Sequence, residues 1–128
     1  MDVRHLEPLL AHKNRYLSTW RSACEADTPL ERLDEIFQAF DREIDRIGAL
    51  PSERLFDSAL KATGACLAQR GVALSTLLAA SARAGHAAIE ALGEAASAGV
   101  LRALNELEAQ RAITYLRAYE TQDDTPAR

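Results

Sequence analysis

Apolar residues recur every three to four positions in almost every segment of the chain, and this spacing restricts the fold to packed helices. Alternating apolar and polar runs that would indicate strands are almost absent, and alanine, the strongest helix former, occupies 25 of the 128 positions. The sequence therefore predicts an all-α protein, a compact bundle of about five helices. A globin-like packing of the same helices is an alternative that the spacing leaves open.

Prolines, glycines and capping residues divide this pattern into five predicted helices. They cover approximately residues 8–26, 29–48, 53–70, 74–96 and 99–120. Thr28 and Ser52 are the predicted N-caps, and Gly71 suits the left-handed position after a helix. Gly64 weakens the middle of the third helix, which indicates that a neighbouring helix packs closely against it. We expect residues 1–121 to form one domain and residues 122–128 to form a polar tail that frays.

Charge and hydropathy restrict the localisation and the binding partners that we expect for the protein. The formal net charge is −4 and the arginines alternate with acidic residues, which argues against nucleic-acid binding. No apolar run approaches the ~20 residues that cross a bilayer, and no signal peptide is visible. We therefore expect a cytoplasmic protein without membrane contact. Cys24 and Cys66 do not form a disulfide framework and are expected to be small buried side chains on helices.

The histidines do not form a recognisable catalytic or metal site. His5, His12 and His86 are scattered, and neither a zinc-ligand spacing nor paired Glu-x-x-His motifs occur. Of the three, His86 is the candidate for a cofactor ligand such as haem, but the small residues around it would not enclose a macrocycle. The Lys-Gly that usually follows a phosphoacceptor histidine is missing. The sequence thus predicts a protein that is not an enzyme and binds no metal or cofactor.

Small and aromatic residues in the last two helices suggest a packing surface. Ala84 and Ala88 lie four residues apart with Gly85 beside them, a spacing that lets two helix backbones approach closely. The end of the fifth helix adds a set of larger side chains: Tyr115, Leu116 and Tyr119. These six residues are either an internal helix–helix contact or the interface of a homodimer.

Three stretches of the chain resemble a known family. "LLAHKNRYLSTWRSAC", which contains Trp20, is similar to the opening of the N-terminal helical domain of RsbT co-antagonist proteins, the RsbR-type stressosome sensors. "CLAQRGVALSTLLAASARAG" resembles the family's helix–Arg-x-Gly–helix junction, here at Arg70 and Gly71. "LRALNELEAQRAITYLRAYE" resembles its last helix, which ends in an aromatic residue such as Tyr119. The likeness extends over approximately residues 6–120.

The resemblance implies a non-haem, globin-related, dimeric domain that passes a signal to a downstream signalling domain or partner protein. We therefore expect a bacterial, non-enzymatic input domain of a stress response that dimerises and transmits its signal through the fifth helix. No output domain follows in this sequence, so we expect either an isolated input domain or a stand-alone relative. The alternatives are a globin-like sensor that binds haem or a small ligand, and a stand-alone adaptor that binds another protein.

Overall fold

The computed structural model describes residues 3–25, 28–49 and 53–123, and all secondary structure in these ranges is helical. One 3₁₀ turn at Val3–Leu6 precedes the first α-helix, and a second at Gly93–Ala95 precedes the last. The α-helices are α1 (Glu7–Ala11), α2 (Lys13–Cys24), α3 (Leu30–Ala49), α4 (Glu53–Gln69), α5 (Leu74–Leu92) and α6 (Ala98–Asp123). The predicted all-α bundle is confirmed. No described helix combines the length and the apolar character needed to span a lipid bilayer.

Three helix boundaries differ from the predicted ones. The first predicted helix is two helices, because His12 leaves the helical conformation (φ −108°, ψ 27°) and its N–H is shared between two carbonyl oxygens. α5 ends four residues early, because Gly93 adopts a positive φ of 53°. α6 continues three residues beyond Glu120. Ser52 and residues 124–128 of the predicted tail lie outside the described residues.

The five longer helices form a closed ring around one core. α2 packs on α5, α5 on α6, α6 on α4, α4 on α3, and α3 returns to α2. An aromatic column fills the centre: the Trp20 ring is stacked on Phe40 with centroids 4.7 Å apart, and Phe40 lies 6.3 Å from Tyr115. The buried Trp20 Nε1–H donates a hydrogen bond of 2.8 Å to the Ala80 carbonyl oxygen. Side chains of α2, α3 and α6 therefore meet in the core, and Trp20 also contacts the backbone of α5.

Two glycines occupy the positions that their sequence context predicts. Gly71 has a φ of 77°, the left-handed conformation expected after α4. Gly64 lies where α4 crosses α6, and a Cβ added there would come within 2.9 Å of the Ala118 Cβ and 3.3 Å of the Tyr115 Cα. The predicted close approach of a neighbouring helix at Gly64 is therefore confirmed.

We expect Gly64→Ala to lower the free energy of unfolding by about 1–2 kcal/mol, because overpacking against the α6 backbone outweighs the ~1 kcal/mol gain in helix propensity. Gly85→Ala is the matched control in α5. Its added Cβ would meet only the carboxylate end of Glu108, which can rotate away. Urea unfolding followed by far-UV circular dichroism should therefore show Gly85→Ala unchanged or stabilised. Equal effects of the two substitutions would contradict this explanation.

Candidate functional site

The inner side of α6 carries a charged residue that is fully enclosed by the core. Arg111 is 2% exposed and pairs with Glu43 of α3, which is 0% exposed. Arg111 Nε donates a hydrogen bond of 2.8 Å to Glu43 Oε1. Nη2 lies 2.7 Å from the same oxygen but off the hydrogen-bond direction, so this second contact is purely ionic. A buried ion pair of this kind ties α6 to α3.

Two tyrosines complete a buried cluster, defined here as Tyr16, Glu43, Arg111 and Tyr115. The Tyr115 hydroxyl donates a hydrogen bond of 2.5 Å to Glu43 Oε2, and Tyr16 of α2 interacts with Arg111. The guanidinium also lies over the ring of Phe40, with its carbon 4.7 Å from the ring centroid, in a cation–π contact. Both carboxylate oxygens of Glu43 thus accept a hydrogen bond from a residue of α6.

The electrostatics of the buried cluster keep its tyrosines neutral and its arginine charged. Burial raises the pKa of Tyr16, although Arg111 opposes this. Burial and the Glu43 carboxylate together raise the pKa of Tyr115 well above its usual value. For Arg111, burial alone would lower the pKa, but Glu43 and the tyrosines outweigh it and the pKa is raised well above its usual value. Arg111 therefore remains charged inside the core at neutral pH.

Sequence reasoning did not predict this cluster, although a signal for it exists. Glu43 occupies a helical-spacing position within the apolar stripe of α3, between Phe40 and Ile47. Arg111 interrupts the apolar stripe of α6 in the same way, between Leu107 and Tyr115. Charged residues on an otherwise apolar face indicate buried charges that need a partner.

A second set of contacts fixes the connection between α4 and α5. Arg32 of α3 donates from Nη1 to the Arg70 carbonyl oxygen at 3.1 Å. Tyr119 near the end of α6 donates from its hydroxyl to the Val72 carbonyl oxygen at 2.6 Å. Burial raises the pKa of Tyr119 to about 12, despite the nearby positive charge of Arg32. The connection is therefore held from both sides, by α3 and by α6.

The outer side of α6 carries large apolar side chains that the described residues leave uncovered. Leu101, Ile113 and Leu116 are 39%, 45% and 43% exposed. Ala109 and Ala112 are exposed as well and lie at helical spacing next to Ile113 and Leu116. We call these five residues the outer face of α6. Ile89 on the adjacent α5 is also exposed.

The structure separates the six residues of the predicted packing surface. Ala84, Ala88 and Tyr115 are buried within the chain, and Gly85 faces Glu108 of α6. These four residues form internal helix–helix contacts. Leu116 is exposed and Tyr119 is half-buried. Of the six, Leu116 is thus the residue best placed to contact a second molecule.

The histidines and cysteines are placed as follows. His5, His12 and His86 are all exposed, and the described residues contain no group of three or more His, Cys, Asp or Glu that could hold a metal ion. Cys24 is buried as predicted, whereas Cys66 is only partly buried, and the two cysteines do not form a disulfide with each other. An exposed His86 has no surrounding pocket of the kind that encloses a haem.

Comparison of the chain with protein-family models, with curated proteins and with solved structures gave no match.

Proposed function

We propose that the chain is a non-enzymatic signalling input domain that forms a homodimer through the outer face of α6. The observation that carries this proposal is the exposure of Leu101, Ile113 and Leu116 along one helix. Exposed apolar side chains at helical spacing are the usual core of a helix–helix interface. Charged residues exposed on the same helix, Arg102, Arg117 and Glu120, would form the polar rim of that interface.

The same helix provides a route for the signal. Its inner side is tied to α3 through Arg111 and to the α4–α5 connection through Tyr119. A change in how two copies pack along the outer face would therefore displace contacts inside each copy. Such coupling requires two packing arrangements of similar free energy, which a partner or ligand shifts by binding one of them more tightly. The resemblance to stressosome sensors supports the same assignment.

The haem-binding alternative has no observation in its favour among the described residues, since His86 is exposed. The adaptor alternative would use the same outer face with a different protein as its partner. The oligomeric state of the purified chain distinguishes it from the homodimer.

We expect analytical ultracentrifugation at micromolar concentration to show a dimer that Leu116→Glu converts to a monomer. A charge buried in an interface costs at least ~2 kcal/mol, which makes the dimer roughly 30-fold weaker. Leu30→Glu is the matched control, because Leu30 is an even more exposed leucine (67%) at the start of α3, away from α6. A monomeric wild-type chain, or equal loss of dimer in both variants, would refute the proposed homodimer.

A further inference from the structure

Exposed charged residues lie on both sides of the apolar centre of the outer face of α6. Arg102 and Glu106 precede this centre, and Arg117 and Glu120 follow it; all four side chains are exposed. Arg102 and Glu120 are each nine residues from the buried Arg111, about two and a half helical turns, so both point directly away from the core. Along the outward side of α6 the order is therefore positive, negative, apolar, positive, negative.

This order of charges is complementary to itself when two copies of α6 pack antiparallel. A two-fold axis beside residue 111 places each residue opposite the residue of the second copy that is equally far from 111 on the other side. Arg102 then faces Glu120 of the second copy. Glu106 lies beside Arg117 of the second copy, on the same edge of the contact. Each of the two ion pairs occurs twice in the symmetric dimer.

A parallel dimer would bring like charges together instead. A two-fold axis along α6 places every residue at the centre of the contact opposite its own copy. Arg102 would then face a second Arg102, and Glu120 a second Glu120. Juxtaposed like charges disfavour that arrangement, so the charges select one orientation of the two helices.

The apolar residues at the centre of the outer face fit the antiparallel arrangement as well. Ala109 and Ile113 are equally far from residue 111, so the small side chain of one copy lies opposite the large side chain of the other. A small residue facing a large one lets two helices approach and fill the space between them.

From this arrangement we infer that the homodimer is antiparallel, with the two α6 helices crossing near residue 111 and held in register by the Arg102–Glu120 and Glu106–Arg117 ion pairs. The inference rests on the proposed homodimer and gives its orientation. It places the end of α6, where Tyr119 holds the α4–α5 connection, beside the start of α6 in the second copy. A change at that connection in one copy would therefore act on the opposite end of α6 in the other.

Charge reversal at the two ends of the outer face tests the orientation. At low ionic strength we expect Arg102→Glu and Glu120→Arg each to weaken the dimer about tenfold, because each places like charges opposite each other twice. The double variant should regain the wild-type affinity, since the exchanged charges attract again. Arg15→Glu reverses an exposed arginine of α2 and is the matched control, which should leave the affinity unchanged. Sedimentation velocity over a concentration series measures all four variants.

A distance between two spin labels gives the orientation independently. The label is attached to Thr121→Cys, an exposed position beside the contact, in a Cys66→Ser background where the remaining Cys24 is fully buried. Position 121 is ten residues from the two-fold axis, so the labels of an antiparallel dimer should be about 30 Å apart. In a parallel dimer they would be separated by roughly half that distance.

The outcomes separate the orientation from the dimer itself. Restored affinity in the double variant and the longer label distance would support the antiparallel arrangement. Single reversals without effect, a double variant as weak as the single ones, or the shorter label distance would overturn it while the homodimer stands. A wild-type chain that stays monomeric would overturn both proposals.

Discussion

Glu43→Gln is expected to lower the free energy of unfolding by about 3–5 kcal/mol, because it removes the only described counter-charge of a buried guanidinium. Gln preserves the shape of the side chain and an oxygen that can still accept from Tyr115. The decrease in the free energy of unfolding would therefore be caused by the unpaired charge of Arg111 and not by a cavity. Against a typical total stability of 5–15 kcal/mol, about 3–5 kcal/mol is a large fraction.

The matching experiment removes both charges. Glu43→Gln combined with Arg111→Met leaves no uncompensated ion, and the double variant should recover most of the loss, since buried ion pairs contribute little over apolar replacements. A double-mutant cycle measured by urea unfolding gives the coupling free energy between the two positions. If the double variant is as unstable as Glu43→Gln alone, the charge on Arg111 is not the cause.

Alkaline unfolding should be steep, because all three tyrosines of the chain have a raised pKa in the fold. In the unfolded chain each phenol ionises near pH 10, whereas in the folded protein each holds its proton to higher pH. The neutral phenols therefore make their full contribution to the free energy of unfolding below about pH 10. This contribution is lost as the pH rises from 10 through the raised pKa values of the folded protein. The two fully buried residues, Tyr16 and Tyr115, together remove about 3 kcal/mol per pH unit above pH 10.

Tyr119 adds a smaller loss, because it is only partly buried; its pKa is raised to about 12. We expect the tyrosinate absorbance to rise in one steep step that coincides with the loss of helical circular dichroism. Tyr119→Phe should retain that step with a smaller amplitude. Phenolate appearing gradually around pH 10 in a protein that stays helical would show that the tyrosines are accessible in the fold.

The helices could be predicted because their signals are local. Pro8, Pro29 and Gly71 set boundaries through their own backbone preferences, and Gly64 predicted a close contact because a glycine in a helix needs a packing reason. His12 could not be recognised as an interruption, since nothing in its side chain excludes a helical conformation. Helix boundaries that depend on packing against other elements cannot be predicted from the local sequence.

The candidate site was harder to predict for the same reason. Tyr115 stood out as an aromatic residue near the end of the chain, and only the packing of α6 against α3 shows that it lies in the core. Glu43 and Arg111 each interrupt an apolar stripe, which indicates a buried charge but does not identify its partner. Their partnership depends on which helices are neighbours in the ring, and a single sequence does not specify this.

The contacts of Glu43 also constrain the order in which the parts of the chain can fold. Its two partners on α6 lie 68 and 72 residues later in the sequence, and the Trp20 side chain takes its hydrogen-bond acceptor from a residue 60 positions away. Closing such long loops costs entropy before any contact compensates for it. During synthesis, the emerging N-terminal helices would hold an acidic side chain without its counter-ion. The core can therefore close cooperatively only after α6 has left the ribosome.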